Sequence, residues 1–277
     1  MTAKRVVHRI EDGMDLNGIA ATDYQMRDPC VQFRDAFANH LDSMCYIQHL
    51  RAAHLIRPGW RVVDVACGRG LLLRFVRHFS KTIGEYVGVD LSERNLREAQ
   101  RRACGKTIDH KTFYPFPHRW VNCDAAEMSR HLPSNYFDFA VFTSAIEHTH
   151  KRTGQQILCE CAKVLKPGAL LYLSCPNTSE ERDGHDTQYR AHIYEWKLSE
   201  LRDGLRKEGF SVHREYGLII GKRELVKAVA KLGPQVRLLV DPILEYLPRE
   251  FLTTCLAAPF PTLSKEVLIL ARKDDRR

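Results

Sequence analysis

Two groups of residues in this chain have the types and spacing to do chemistry. The first is an acid inside an apolar run followed by a glycine turn: Val62 to Gly70 reads VVDVACGRG, with Asp64 in the run and Gly68 and Gly70 in the turn. Glycines let a backbone turn tightly and approach a ligand, and a helix starting just after them offers unpaired amides to a carboxylate or phosphate. Asp90 ends the run YVGVD twenty residues after Gly70, where a carboxylate can accept hydrogen bonds from both hydroxyls of a ribose. The second group is Glu147-His148, in SAIEH, together with His185, Asp186, Tyr189, His192 and Tyr194 of the polar stretch Asn177 to Trp196. Carboxylates and imidazoles are the side chains that hold a divalent cation or move a proton near neutral pH.

The glycine turn by itself suits either of two nucleotide classes. A dinucleotide fingerprint needs a third small residue where this chain has Leu73, and it does not usually place an acid within the strand, as Asp64 is placed. A pyrophosphate ligand is therefore disfavoured.

Both groups need a scaffold that brings distant segments to one edge. Short β-branched runs punctuated by Gly and Pro predict strands over Arg61 to Ala66, Tyr86 to Asp90, Trp120 to Cys123, Phe137 to Thr143 and Gly168 to Cys175. A further strand begins over Phe210 to His213, and Glu266 to Ala271 reads as the last. Helices are expected over Leu71 to Phe79, Ser92 to Arg102, Gln155 to Leu165 and Leu198 to Glu208. Alternation of this kind requires crossover connections, so the chain is expected to be α/β, with a doubly wound, seven-stranded, mostly parallel sheet covered on both faces. Ligands of such sheets bind beyond the carboxyl ends of the strands. Upstream, Phe33, Phe37, Leu41, Met44, Ile47 and Leu50 recur three or four apart, predicting one or two helices over Cys30 to Leu55. Downstream, Arg223 to Cys255 is helical and interrupted by prolines, an insertion expected to cap one end of the sheet. The expected division is a helical lead-in over 1–56 and a main domain over 57–277, with the cap at 222–260.

Composition bounds the rest. A hydrophobic fraction of 44% and a charged fraction of 27% are those of an ordinary globular chain. No segment approaches the roughly 20 apolar residues that span a bilayer, and Met1 to Asn17 lacks a signal-peptide pattern, so a cytoplasmic location without a membrane partner is expected. Nine cysteines with no CxxC pair indicate neither a disulfide framework nor a zinc knuckle. Cys159 and Cys161, two apart on a helix, face different sides, and Cys175 before Pro176 reads as a buried strand-end residue rather than a nucleophile. The net charge of +8 favours an anionic partner, but Lys and Arg are scattered rather than grouped, as on a solvated basic surface.

The acid and Gly-x-Gly turn, Asp90, Asp124-Ala125, FDFAVFT before SAIEH, and LKPGALLYLSCPN together resemble the class I S-adenosylmethionine-dependent methyltransferases over about Arg61 to Glu215. The resemblance implies a Rossmann-like fold with S-adenosylmethionine as cofactor. It implies a binding set of Asp64, Ala66, Gly68, Gly70, Asp90, Leu91, Asp124, Ala125 and Ser144. Ala66 departs from the family, standing where the first glycine is common. Asp124 matches the position that contacts adenine, yet Asp124 to Glu127 also has capping-box spacing.

SAIEH and AHIYEW also resemble two metal-dependent O-methyltransferase groups, the ubiquinone-biosynthesis enzymes and the small-RNA 3′-terminal 2′-O-methyltransferases. In the RNA enzymes a Glu-x-x-Glu-His run and a later His hold a divalent cation. By position, Glu147, His148 and His192 would be the ligands and catalytic residues here, while Ser144 replaces the first Glu. One fewer carboxylate weakens a hard cation such as Mg²⁺, which prefers oxygen. The expected function is O-methylation of a small-molecule acceptor, in a pocket shaped by the helical insertion. Two alternatives stand beside it: a nucleic-acid methyltransferase, favoured by charge but without an Asn-Pro-Pro-Tyr or Asp-Pro-Pro-Tyr run, and a non-catalytic cofactor-binding subunit. Oligomeric state has no signature in the sequence.

Overall fold

The computed structural model describes residues 40–79, 82–104, 116–231, 233–246 and 249–275. Helix α1 (His40–Leu55) leads into β1 (Arg61–Val65), α2 (Leu71–Phe79), β2 (Glu85–Asp90), α3 (Glu93–Cys104) and β3 (His118–Asn122). Then come β4 (Phe137–Thr143), α4 (Lys151–Val164), β5 (Leu165–Pro176), α5 (Leu198–Lys207) and β6 (Phe210–Ile220). Three helices, α6 (Lys222–Ala230), α7 (Pro234–Tyr246) and α8 (Arg249–Cys255), precede β7 (Ser264–Lys273). The expected lead-in helix is present over its described part, while Phe33 and Phe37 lie outside the described residues.

The strands form one seven-stranded sheet in the order β3-β2-β1-β4-β5-β7-β6. The first five pair in parallel, whereas β7 is antiparallel to both β5 and β6. The order reverses between β1 and β4, and the crevice there is where such sheets take ligands. Because β7 runs the other way, its first residues reach the carboxyl edge of the parallel strands: Glu266 pairs with Pro176 at the end of β5.

Alternation along the strands builds two apolar cores, one on each face. Val63 and Val65 of β1 join Phe137, Leu158, Trp196 and Leu201 on one side. Val62 joins Leu72, Phe75, Tyr86, Phe139 and Tyr172 on the other. Asp64 is buried although the pattern calls for an apolar residue there. Most predicted boundaries shift by one to four residues, and three shifts matter for the site or its neighbours. The first strand stops at Val65 because Ala66 turns into the left-handed region at φ 54°, the helix predicted from Gln155 begins at Lys151, and β5 starts at Leu165. Short 3₁₀ turns, Ala125–Arg130 and Ile146–His148, follow β3 and β4 where no element was predicted. Cys161 is buried while Cys159 is half-buried, in keeping with opposite sides of α4. Among the described residues no helix is long and apolar enough to cross a membrane.

Candidate active site at the carboxyl edge of the sheet

The turn after β1 is held by its neighbours rather than by its own length. The Cys67 amide donates to the Val89 carbonyl at 2.9 Å, tying the turn to β2. Asp90, at the end of β2, accepts from the Gly68 amide at 2.8 Å with one oxygen and from the Ser92 amide at 2.8 Å with the other. Gly70 has φ 71°, and a Cβ there would lie 2.6 Å from the Trp120 ring, so both conformation and space require glycine.

Both acids of this region are shielded. Burial pushes the Asp64 carboxyl up to about 7, against the pull of the Tyr86 hydroxyl that donates to it at 2.5 Å, and Asp90 nearby adds to the rise. Burial also raises Asp90, opposed by its bonds from Ser92, Gly68 and Asn95. Asp124 caps the 3₁₀ turn Ala125–Arg130, accepting from the Ala126 amide at 2.8 Å, so the capping role is met. Leu91 leaves 49% of its surface exposed beside Asp90.

A cleft between the ends of β1 and β4 is lined by Asp64, Ala66, Gly68, Arg69, Thr143 and Ser144. Two of its features were not expected from sequence. Arg69 is only 5% exposed, and its Nε and Nη1 have no hydrogen-bond partner. Gln48 of α1 is buried against the cleft: its side chain meets the Ser144 hydroxyl at 3.3 Å and accepts from the Ser174 hydroxyl at 2.7 Å. Ser144 itself has φ 47°, a conformation that side chains rarely adopt. A polar residue on the otherwise apolar Met44, Gln48, Ala52 face of α1 was the available signal for Gln48.

On the other side of Ser144 the chain gathers three metal-type donors. One side-chain donor atom each of Glu147, His148 and His192 lies within 4.8 Å of the other two. The His148 and His192 rings meet edge to face at 5.2 Å between centroids. His148 Nδ1 lies 2.9 Å from the Ala191 carbonyl, which can only accept, so Nδ1 carries a proton and, in the neutral ring, Nε2 holds the lone pair. His192 Nδ1 lies 2.7 Å from Glu195 Oε1, with the same consequence. Glu147 is 2% exposed, its Oε2 has no hydrogen-bond partner, and burial holds its carboxyl above the usual range against the pull of His148 and His192.

The loop after β5 is closed at its neck, where Thr178 bridges Lys197 and its amide donates to the Trp196 carbonyl. The Ile193 amide donates to the Glu147 carbonyl at 2.8 Å, clamping this loop onto the one after β4. Only part of the expected cluster converges. The His192 and Tyr189 rings meet at a tilt, 5.0 Å between centroids, beside His148. His185 is exposed and packs on Tyr194, whose hydroxyl donates to Glu200, and Asp186 is exposed and pairs with Arg182. These three point away because the closed loop folds onto itself. Sequence reasoning also missed two buried carboxylates here: Glu195, and Glu266 of β7, each with an unpartnered Oε2. Glu266 is held far above the usual range by burial and by Glu147 and Glu195. Cys175 is fully buried and its thiol is pushed up by burial and by the same three glutamates, which makes it a poor nucleophile.

Residues 63–173, from β1 through the middle of β5, match the methyltransferase domain family. A probable S-adenosylmethionine-dependent methyltransferase of Mycolicibacterium smegmatis is 26% identical over 176 residues, 63% of this chain and 61% of that protein. Residues 63–173 thus carry a methyltransferase domain, and the chain is similar to S-adenosylmethionine-dependent methyltransferases. Within the class I methyltransferases, the ubiquinone/menaquinone biosynthesis C-methyltransferase of Paraburkholderia phymatum is 32% identical over 43% of this chain and 44% of its own length. The chain thus spans less than two thirds of the length of either relative. The Haloferax volcanii protein solved in complex with the Trm112 methyltransferase activator shares the class I fold at 19% identity and a TM-score of 0.54, covering 83% of this chain and 89% of that one.

Proposed function

We propose that this chain transfers a methyl group from S-adenosylmethionine to a hydroxyl oxygen of a small-molecule acceptor, with a divalent cation held by Glu147, His148 and His192. The observation that carries the reading is that donor set: two imidazoles with Nδ1 occupied and Nε2 free, beside a buried carboxylate oxygen that has no partner. A buried carboxylate without a counter-charge costs several kcal/mol, and a bound cation offsets that cost. Two imidazoles and one carboxylate suit a first-row transition metal better than Mg²⁺.

When bound, the sulfonium supplies an electrophilic methyl group and the cation lowers the pKa of a coordinated hydroxyl. The chain supplies position. Asp90 would take the ribose hydroxyls, with exposed Leu91 and the Asp124-Ala125 turn against the base. The amides of the Gly68 to Gly70 turn, with Asp64, Ala66 and Arg69, whose Nε and Nη1 have no hydrogen-bond partner, would hold the amino-acid end. Gln48 and Ser144 line this pocket and contact each other, and Ser144 lies three residues before Glu147. Residues 57–277 would then be the methyltransferase domain. The helices at 222–260, of which α8 packs on α1 and β6, would close the acceptor side.

A second reading, a nucleic-acid hydroxyl as acceptor, is favoured by the net charge of +8. Labelled S-adenosylmethionine is incubated with fractionated metabolite and nucleic-acid pools, with and without chelator. Label in a small-molecule fraction, lost in chelator and restored by Mn²⁺ or Co²⁺, supports the first reading. Label in RNA or DNA supports the second, and full transfer in excess chelator removes the cation. Adenosylmethionine that binds but is never converted with any pool would leave the non-catalytic subunit.

A further inference from the structure

Beside the donor set stands a residue to which no role has yet been given. Glu195 has no exposed surface. Its Oε1 accepts from His192 Nδ1 at 2.7 Å and from the Gln188 amide at 2.8 Å, while its Oε2 is buried with no hydrogen-bond partner. Its backbone is equally constrained. The Glu195 amide donates to the Gly184 carbonyl at 2.9 Å, and Gly184 is packed so closely that a Cβ there would lie 2.5 Å from the Tyr194 ring. The carboxylate is therefore built into the closed loop, with little freedom to turn elsewhere.

An imidazole needs no carboxylate merely to fix its tautomer. His148, 5.2 Å away, is fixed by the neutral Ala191 carbonyl. Burying a charge to do the same for His192 is the costlier arrangement, and it changes the ring: a carboxylate on Nδ1–H makes Nε2 a stronger donor toward a cation, where a carbonyl does so less. The two histidines are thus unequal, one held by a dipole and the other by a charge.

We propose that Glu195 is a positioning residue: its carboxylate locks His192 with Nε2 turned toward Glu147 and His148 and strengthens it as a ligand for a divalent transition-metal ion. This inference rests on the cation reading of Glu147, His148 and His192, and Glu195 touches neither acceptor nor cofactor.

The test compares the wild-type chain with Glu195→Gln and Glu195→Ala. Co²⁺ affinity is read by visible absorption in competition with a chelator, and the histidine tautomers of the metal-free proteins are read by ¹⁵N NMR. Wild type is expected to bind Co²⁺ and to hold both His148 and His192 as the Nδ1–H form. Glu195→Gln keeps an acceptor but loses the charge, so its tautomer persists while Co²⁺ affinity falls about 10-fold. Glu195→Ala frees the His192 tautomer and loses on the order of 100-fold, leaving His148 unchanged. Binding of S-adenosylmethionine stays within about twofold in both, which reports a preserved fold. If wild type takes up no Co²⁺, the cation reading fails, and the His192 tautomer in the two variants still decides whether Glu195 sets it. If wild type binds Co²⁺ and both variants bind it equally well, the role given to Glu195 is wrong. Should Glu195→Ala not fold, the Gln variant alone settles the matter.

Discussion

The half of the crevice proposed to bind the cofactor and the half proposed to take the acceptor treat buried charge in opposite ways. Around the β1 turn, Asp64 is bonded by Tyr86, and Asp90 is bonded by Gly68, Ser92 and Asn95. Neither carboxylate carries a buried, unpartnered oxygen among the described residues. Across Ser144, Glu147, Glu195 and Glu266 each carry one. A half whose carboxylates are satisfied internally holds them as fixed hydrogen-bond acceptors before a ligand arrives, and leaves the Arg69 guanidinium short of partners. A half with unmatched buried carboxylates is stabilised by protonation or by a positive partner, which is why the cation is proposed there and not beside Asp64.

The largest expected effect breaks the acceptor half alone. Glu147→Ala should lower kcat by about 10³-fold while S-adenosylmethionine affinity changes less than about threefold, read by steady-state kinetics and calorimetry. A loss of cofactor affinity with kcat preserved would merge the two halves.

A second experiment concerns Asp64, whose carboxyl is raised from 3.8 to about 7 by burial. A carboxyl raised in the folded state contributes stability that is full below its unfolded value and is lost as pH climbs through its folded one. The metal-free, cofactor-free protein should therefore lose up to about 4 kcal/mol at this site between about pH 4 and pH 8, a loss that Asp64→Asn removes. Urea unfolding at pH 5 and pH 8 measures it, and an equal wild-type to variant difference at both pH values would contradict the assignment.

Smaller still, Asp90→Ala should weaken S-adenosylmethionine binding by roughly 2–3 kcal/mol, with kcat at saturation reduced less than about threefold. It sharpens the comparison, because the same substitution should leave Co²⁺ affinity untouched.

The cofactor half was legible in the sequence because its parts are local. An acid, a glycine turn and a second acid twenty residues on are adjacent elements of one βαβ unit, so spacing encodes their contact. The parallel pairing of the first five strands followed from the same alternation, whereas the reversed direction of β7 did not. The acceptor half was legible only where two loops follow consecutive sheet neighbours, β4 and β5, which brought Glu147, His148 and His192 together. Glu195 was invisible because its meaning lies in burial, which a polar loop conceals. Glu266 was invisible because it reaches this edge only through the reversed direction of β7. Gln48 arrives from α1, outside the repeating units altogether, and His185 and Asp186 misled because a closed loop turns part of its polar surface outward.

The most direct measurement is anomalous diffraction from a crystal grown with adenosylhomocysteine and Mn²⁺. A single anomalous peak within about 2.3 Å of Glu147 Oε2 and of the Nε2 atoms of His148 and His192, with the cofactor's ribose on Asp90, is the expected result. A fully occupied cofactor with no peak among those three side chains, or a peak lodged against Asp64 instead, would contradict it.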